Sequence, residues 1–361
     1  MSGRRVVFAI PGDIDTPSGG YGYDRRLIAE LRSSGWQVEI LSLPGGFPQP
    51  TAAELDRTAA AFAGLANGAL VLVDGLAFGA MPQIAAREAD RLRLVALLHH
   101  PLCLETGLDA ALRRELEASE REALSAARSV VVTSPATAGT VAATFAVPME
   151  RLTVAPPGTD QPTGQRGRIG GHDRPDPVAE PPTILSIGTL IPRKDHATLV
   201  EGLKAVADLD WRCRLVGSKT ADERTVNALA QQVRELDLTD RIELVGALPD
   251  VSAEYATADL FVLASRYEGY GMVFAEAMAY GLPIVFCAEG APRDLVPASA
   301  GRRFEPGDAT GLGEALRELL TDGEARQTAA RAALDAGRKL PSWRDAATIV
   351  AGALLEVGEM V

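Results

Sequence analysis

Several residue types are scarce in this 361-residue chain, and each scarcity excludes something. The three cysteines, Cys103, Cys213 and Cys287, stand far apart with no C-x-x-C spacing. A disulfide framework or zinc site is therefore not expected, and buried free thiols are. Among four histidines only His99 and His100 are neighbours, and no H-E-x-x-H occurs, so no metal site is expected. Lysine occurs four times, which makes the position of each one informative. Acids outnumber bases 48 to 36, for a net charge of −12. That is the opposite of the basic face a general nucleic-acid binder carries. No apolar run approaches the roughly 18 residues of a membrane span. The apolar stretch at 6–10 is too short for a signal segment, and Pro11-Gly12 ends it. A cytoplasmic protein is expected, with no nucleic-acid partner and at most peripheral membrane contact.

What is present is ordinary folded-protein material, 47% hydrophobic and 23% charged. The length favours two or three domains. Short apolar runs alternate with longer helical patterns. Strands are predicted at 5–10, 38–43, 69–74, 92–98, 129–133 and 152–156, then at 183–187, 213–216, 241–245, 260–264, 283–287 and 302–304. Helices are predicted at 23–34, 52–66, 81–91, 109–128 and 135–145, then at 197–207, 221–236, 273–280 and 311–320. Near-continuous Val/Leu/Ile runs suit a parallel sheet covered on both faces, so the class is α/β built from βαβ units. The helix at 109–128 mixes Arg113, Arg114 and Arg121 with Glu115, Glu117, Glu120 and Glu122, which reads as a solvated face. The segment 161–182 is rich in Gly, Pro and charge without periodicity. It reads as a linker between a domain at 1–160 and a domain at 183–341. Two such halves are expected to leave a cleft between the carboxyl ends of their sheets.

The densest signal is SRYEGYGMVFAEAMAYGLPIV at 265–285, where a buried strand, a Gly-rich loop and a helix follow one another. Gly269 and Gly271 remove side chains where backbone must approach a ligand. The N–H groups of Met272 and Val273 open a helix and form an anion site suited to a diphosphate. Glu276, one turn in, is placed to accept from ribose hydroxyls, and Glu268, in the loop, to reach a sugar. By themselves two glutamates eight apart also fit a solvated loop acid and a helix-dipole acid.

In its full context the segment resembles the E-x7-E motif of retaining glycosyltransferase family 4 (group 1), of GT-B fold, with Glu268 and Glu276 on its two glutamates. The resemblance implies that Glu268 contacts the donor sugar and Glu276 the ribose. SIGTLIPRKD at 186–195 resembles the family motif G-R-L-x-x-x-K-G. Lys194 falls on its lysine, which implies contact with the donor pyrophosphate. The family's arginine position holds Thr189, leaving Arg193 as the candidate second cation. PGDIDTPSGGYGYD at 11–24 resembles the family's N-terminal Gly-rich loop, which closes over the donor phosphates, with Gly19 and Gly20 as candidates. His99-His100-Pro101 resembles the acceptor-side histidine. Two adjacent residues of an extended strand face opposite ways, and the sequence does not choose between them. LVGALP at 244–249 resembles the base-contacting loop, with Leu248 its candidate, and VTS at 132–134 and VAPPGTD at 154–160 the end of the first domain. Ser342-Trp343 opens a terminal segment, 342–361, that in GT-B folds crosses back onto the first domain.

The resemblance implies two Rossmann-like domains with parallel sheets facing across a cleft, donor in the second and acceptor in the first. The implied reaction moves a hexosyl group from a nucleoside-diphosphate sugar to an acceptor hydroxyl, with retention and without a metal or other cofactor. The acceptor, whether a sugar, a lipid-linked sugar or a small molecule, is not specified. A nucleotide-sugar epimerase of the same fold and a non-catalytic two-lobed nucleotide- or sugar-binding protein are the alternatives.

Overall fold

A computed structural model describes residues 4–162, 181–287 and 290–359. The predicted linker, apart from its ends, lies outside the described residues. The chain divides into two compact units, Met1–Gly158 with Pro341–Val361, and Thr159–Leu340.

The first unit holds β1 (Arg5–Pro11), β2 (Gln37–Leu43), β3 (Leu70–Asp74), β4 (Arg93–Leu98), β5 (Ser129–Val132) and β6 (Leu152–Val154). They pair in the order β2-β1-β3-β4-β5-β6, all parallel. The second holds β7 (Thr183–Ile187), β8 (Arg212–Val216), β9 (Ile242–Gly246), β10 (Leu260–Leu263), β11 (Ile284–Cys287) and β12 (Gly301–Phe304). Their order is β12-β11-β10-β7-β8-β9, again all parallel. Every predicted strand is present, its ends moved by no more than two residues. The chain lays β7, β8 and β9 outward, then returns to place β10 on the other side of β7. The first sheet makes the same reversal between β1 and β3. Ligands of open parallel sheets bind outside the strands' carboxyl ends at such reversals.

Both faces of the second sheet are buried. Ile184, Leu215 and Val262 pack with Leu199, Leu203 and Leu316, while Leu185, Phe261 and Leu263 pack with Phe274 and Met278. In the first unit the terminal helix Trp343–Glu359 packs against the helix Gly19–Ser33, with Trp343 edge-on to Tyr23 at 5.6 Å. Any side chain at Gly158 would meet that turn, since a Cβ there would come 2.1 Å from Trp343 N.

Three expectations need correction. Gly19, Gly20 and Gly22 are not a loop but the first turn of the helix Gly19–Ser33, because Ser18 caps it and accepts the Tyr21 N–H at 3.2 Å. Glu120 is not on a solvated face: it is 1% exposed and accepts the N–H groups of Leu102 and Cys103 at 2.7 and 3.0 Å. A helix absent from the sequence reading, Gly323–Gly337, is capped by Asp322 and buries only Ala329, Ala330, Ala333 and Gly337. That small-residue stripe gives little apolar signal. It permits close contact, since a Cβ on Gly337 would come 2.5 Å from the Met278 backbone. The three cysteines are buried free thiols, as expected. Among the described residues no helix is long and apolar enough to cross a membrane.

Candidate active site

At the reversal of the second sheet, the segments leaving β7 and β10 meet. The first turns through the short helix Pro192–Lys194 and the second carries Glu268. Lys194 Nζ donates to Glu268 Oε1 at 2.5 Å, and Arg193 Nη1 stands 3.6 Å from Oε2. Arg193 also donates to the Tyr267 carbonyl at 2.8 Å. Two glycines make room for this. A Cβ on Gly188 would press on the Lys194 stem at 3.3 Å, and one on Gly217 would come 1.9 Å from the Gly188 carbonyl. Glu268 is also pinned by its backbone, whose carbonyl accepts the Ala291 N–H at 3.0 Å. It bridges Gly290, held at φ +83°, where a Cβ would lie 2.2 Å from that carbonyl. Burial alone would raise the Glu268 carboxyl, but the Lys194 ammonium and then the Arg193 guanidinium hold it down at about 2. It is a carboxylate at any ordinary pH and has no proton to give.

Gly271, at φ +83°, turns the loop into the helix Met272–Ala279, and Gly269 lies in the loop between it and Glu268. The first amides of that helix, Met272 and Val273, follow Glu268 within a few residues of chain. Glu276 accepts the Tyr255 hydroxyl at 2.7 Å, and Tyr255 stacks on Tyr280 at 5.4 Å. Burial raises the Glu276 carboxyl, the Tyr255 hydrogen bond opposes the rise, and Asp160 adds to it. Leu248 follows β9, and its side chain packs on the core.

In the first unit β4 ends at Leu98, and the two histidines part beyond it. His99 Nε2 lies 2.9 Å from Asp24 Oδ1 and 3.5 Å from Asp74 Oδ2, while His100 Nε2 lies 3.9 Å from Glu105 Oε2. Gly20 stands against the His99 ring, with room for a Cβ only 3.2 Å from Cδ2. Asp24, Asp74 and His99 bring ligand-type atoms within 4.8 Å of one another, close enough to share a proton or a cation. No spacing in the sequence announces that group.

The family described as "Glycosyl transferases group 1" matches residues 172–335, the stretch that contains Arg193, Lys194, Glu268 and Glu276. Residues 172–335 are thus similar to the group 1 glycosyltransferases. It is 37% identical over 118 residues to mannosylfructose-phosphate synthase of Agrobacterium fabrum, a match covering 30% of this chain and 25% of that protein. The chain spans a quarter or less of the length of the first curated relatives it matches. Among solved structures, sucrose-phosphate synthase from Thermosynechococcus elongatus superposes with a TM-score of 0.81 at 21% identity, covering 98% of both chains. Anabaena Alr3699/HepE in complex with UDP-glucose gives a TM-score of 0.75 at 19% identity, covering 98% of this chain and 99% of that one. The fold is GT-B.

Sequence reading missed the residues that hold the candidate site residues in place. Tyr255 gave no sign of holding Glu276, nor Gly290 of flanking Glu268. Asp24 lay inside a quoted motif, and Asp74 closes a predicted strand, yet neither stood out. Aspartate at a strand's carboxyl end was the one signal available for Asp74.

Proposed function

We propose that the chain transfers a hexosyl group from a nucleoside-diphosphate sugar to an acceptor hydroxyl, with retention and without a divalent metal. The observation that carries the reading is the contact between Lys194 and Glu268, the glutamate lying in the loop that leads into the helix Met272–Ala279. In a nucleotide sugar, the anomeric carbon and the diphosphate share one bond. A cation for the phosphate and a carboxylate for the sugar must then be neighbours, as these two are.

The roles follow. Lys194 and the amides of Met272 and Val273 take the diphosphate, and they stabilise it more as it leaves with the bonding electron pair. Glu268, always charged, accepts sugar hydroxyls and faces the positive charge that grows at the anomeric carbon. Glu276, oriented by Tyr255, takes the ribose hydroxyls, and backbone near Leu248 the base. Arg193, drawn to Glu268 and the Tyr267 carbonyl, holds the loop and adds positive potential. Gly19 and Gly20, as the start of a helix, offer amides rather than a mobile flap. His99, with His100 turned towards Glu105, is the acceptor-side residue. HepE, solved with UDP-glucose, supports a nucleotide-sugar donor here, and the acceptor is a sugar, lipid-linked sugar or small molecule. A cytoplasmic location is part of the same reading.

Thermal-shift screening of nucleoside diphosphates identifies the base, since a ligand at 100 times its dissociation constant adds about 2.7 kcal/mol. The matching nucleotide sugar is then incubated with candidate acceptors. Release of nucleoside diphosphate that depends on acceptor is the expected result. Sugar interconversion without acceptor would make the chain an epimerase, and binding without turnover would make it a two-lobed binding protein.

A further inference from the structure

The reversal of the first sheet gathers more chemistry than the transfer reading uses. Asp24, in the second turn of the helix Gly19–Ser33, is fully buried behind His99, its Oδ1 2.9 Å from Nε2. Asp74, at the end of β3, is 3% exposed, stands 3.5 Å from the same nitrogen and accepts the Leu76 N–H at 2.7 Å. Tyr23 meets the imidazole edge-on at 5.1 Å and spends its hydroxyl on the Ala155 carbonyl. Tyr21 spends its hydroxyl on the Pro11 carbonyl, and Asp13 adds a further negative charge near it. Among the described residues, both Asp24 and Asp74 form their ion pairs with His99. The carboxylates are closed to solvent, while the His99 side chain keeps 20% exposure. A ligand reaching this face meets the imidazole and not the acids, and Nδ1 is the nitrogen left to it.

We propose that Asp24 is a positioning residue for His99: from behind the ring it takes the Nε2 hydrogen, so that Nδ1–H is offered as a donor to an oxygen of the acceptor. A buried carboxylate needs a positive partner within reach, and among the described residues His99 is the ion-pair partner of Asp24. Burial opposes charge on the imidazole, but Asp24 and then Asp74 outweigh it and push His99 up. Asp74 is itself pushed up to about 8 by burial and by Asp24, so near neutral pH it holds a proton and the charge behind His99 is that of Asp24. The assignment of the acceptor rests on the transfer reading; the coupling of Asp24 to His99 does not.

The test labels the histidine ring nitrogens of the full chain and follows them by NMR from about pH 5 to about pH 9. In the wild type both His99 nitrogens are expected to carry hydrogen at neutral pH. Asp24→Asn should lower the His99 midpoint by about one pH unit or more, a tenfold change in proton affinity, with His100 and His196 as unshifted controls. In the transfer assay the same variant should raise the acceptor KM roughly tenfold and leave nucleotide affinity unchanged. Three results overturn the proposal: a neutral wild-type His99 with its hydrogen on Nδ1, an unchanged midpoint in a folded Asp24→Asn, or one equivalent of tightly held divalent metal in the purified chain. If Asp24→Asn does not fold, the wild-type protonation state decides. A wild type that transfers no sugar overturns the transfer reading alone, because the histidine spectrum is still read.

Discussion

Lys194 Nζ and Glu268 Oε1 are 2.5 Å apart, although 74 residues of chain separate them. The Lys194 side chain keeps 12% exposure and that of Glu268 10%, so the pair is nearly enclosed but reachable from one side. An enclosed pair is costly to break by removing one partner, because the other charge is then left without compensation. An accessible pair beside helix amides is where a dianionic ligand can share the lysine.

On the proposed reading, removing Lys194 takes away the cation that answers the charge of the leaving diphosphate. A charge-assisted hydrogen bond contributes about 1.5–3 kcal/mol, so Lys194→Ala should lower kcat/KM roughly 10- to 150-fold. Steady-state kinetics with the identified donor checks this. Wild-type rates would transfer the phosphate role to Arg193.

The two glutamates should separate kinetically. Glu276→Gln removes a grip on the ribose that is equal before and during reaction, so donor KM and the nucleoside-diphosphate dissociation constant should rise with kcat less affected. Glu268→Gln removes a charge that matters as positive charge grows, so kcat and kcat/KM should fall together while free nucleotide still binds. Calorimetric titration of both variants, followed by turnover, distinguishes the roles. If Glu268→Gln weakens free nucleotide as much as Glu276→Gln does, the sugar is not beside Glu268.

Acid should erase the stabilisation that Glu268 supplies. Its carboxyl titrates at about 2 in the folded chain against an ordinary 4.5. A carboxyl held low contributes stability above the ordinary value and loses it as pH falls through the folded one. The stability difference between wild type and Glu268→Gln should therefore be flat above about pH 4.5 and shrink towards pH 2. Urea unfolding of both proteins across that window reads it, and a constant difference would mean that the carboxylate is not paired in solution.

Donor turnover is expected to survive EDTA if, as proposed, Lys194 and helix amides hold the diphosphate in place of a metal. Activity lost in EDTA and restored by magnesium or manganese would overturn this.

Legibility in the sequence followed the range of the interactions. The strands were readable because a buried parallel strand is a local run of Val, Leu and Ile whatever its neighbours. The stretch from Ser265 to Val285 was readable because strand, loop and helix are contiguous, so Glu268 and Glu276 kept their relative places in the linear text. Helix ends were less so: Ser18 decided that Gly19, Gly20 and Gly22 join a helix, against the poor propensity of glycine. Glu120 looked like any other acid on a charged helix. Which side of a helix is covered depends on what packs there, and the turn holding Leu102 and Cys103 comes from elsewhere in the unit.

The sequence by itself determined two α/β halves and the chemistry of the donor loop, since both rest on residues within a few positions of one another. Tertiary structure alone decided the pairings: Lys194 with Glu268, Tyr255 with Glu276, and Asp24 and Asp74 with His99. Each joins segments that leave different strands, and only the order of the strands in the sheet, with reversals at β1/β3 and β7/β10, brings those ends together. A carboxylate's charge and burial depend on such neighbours in space, which are not neighbours along the chain.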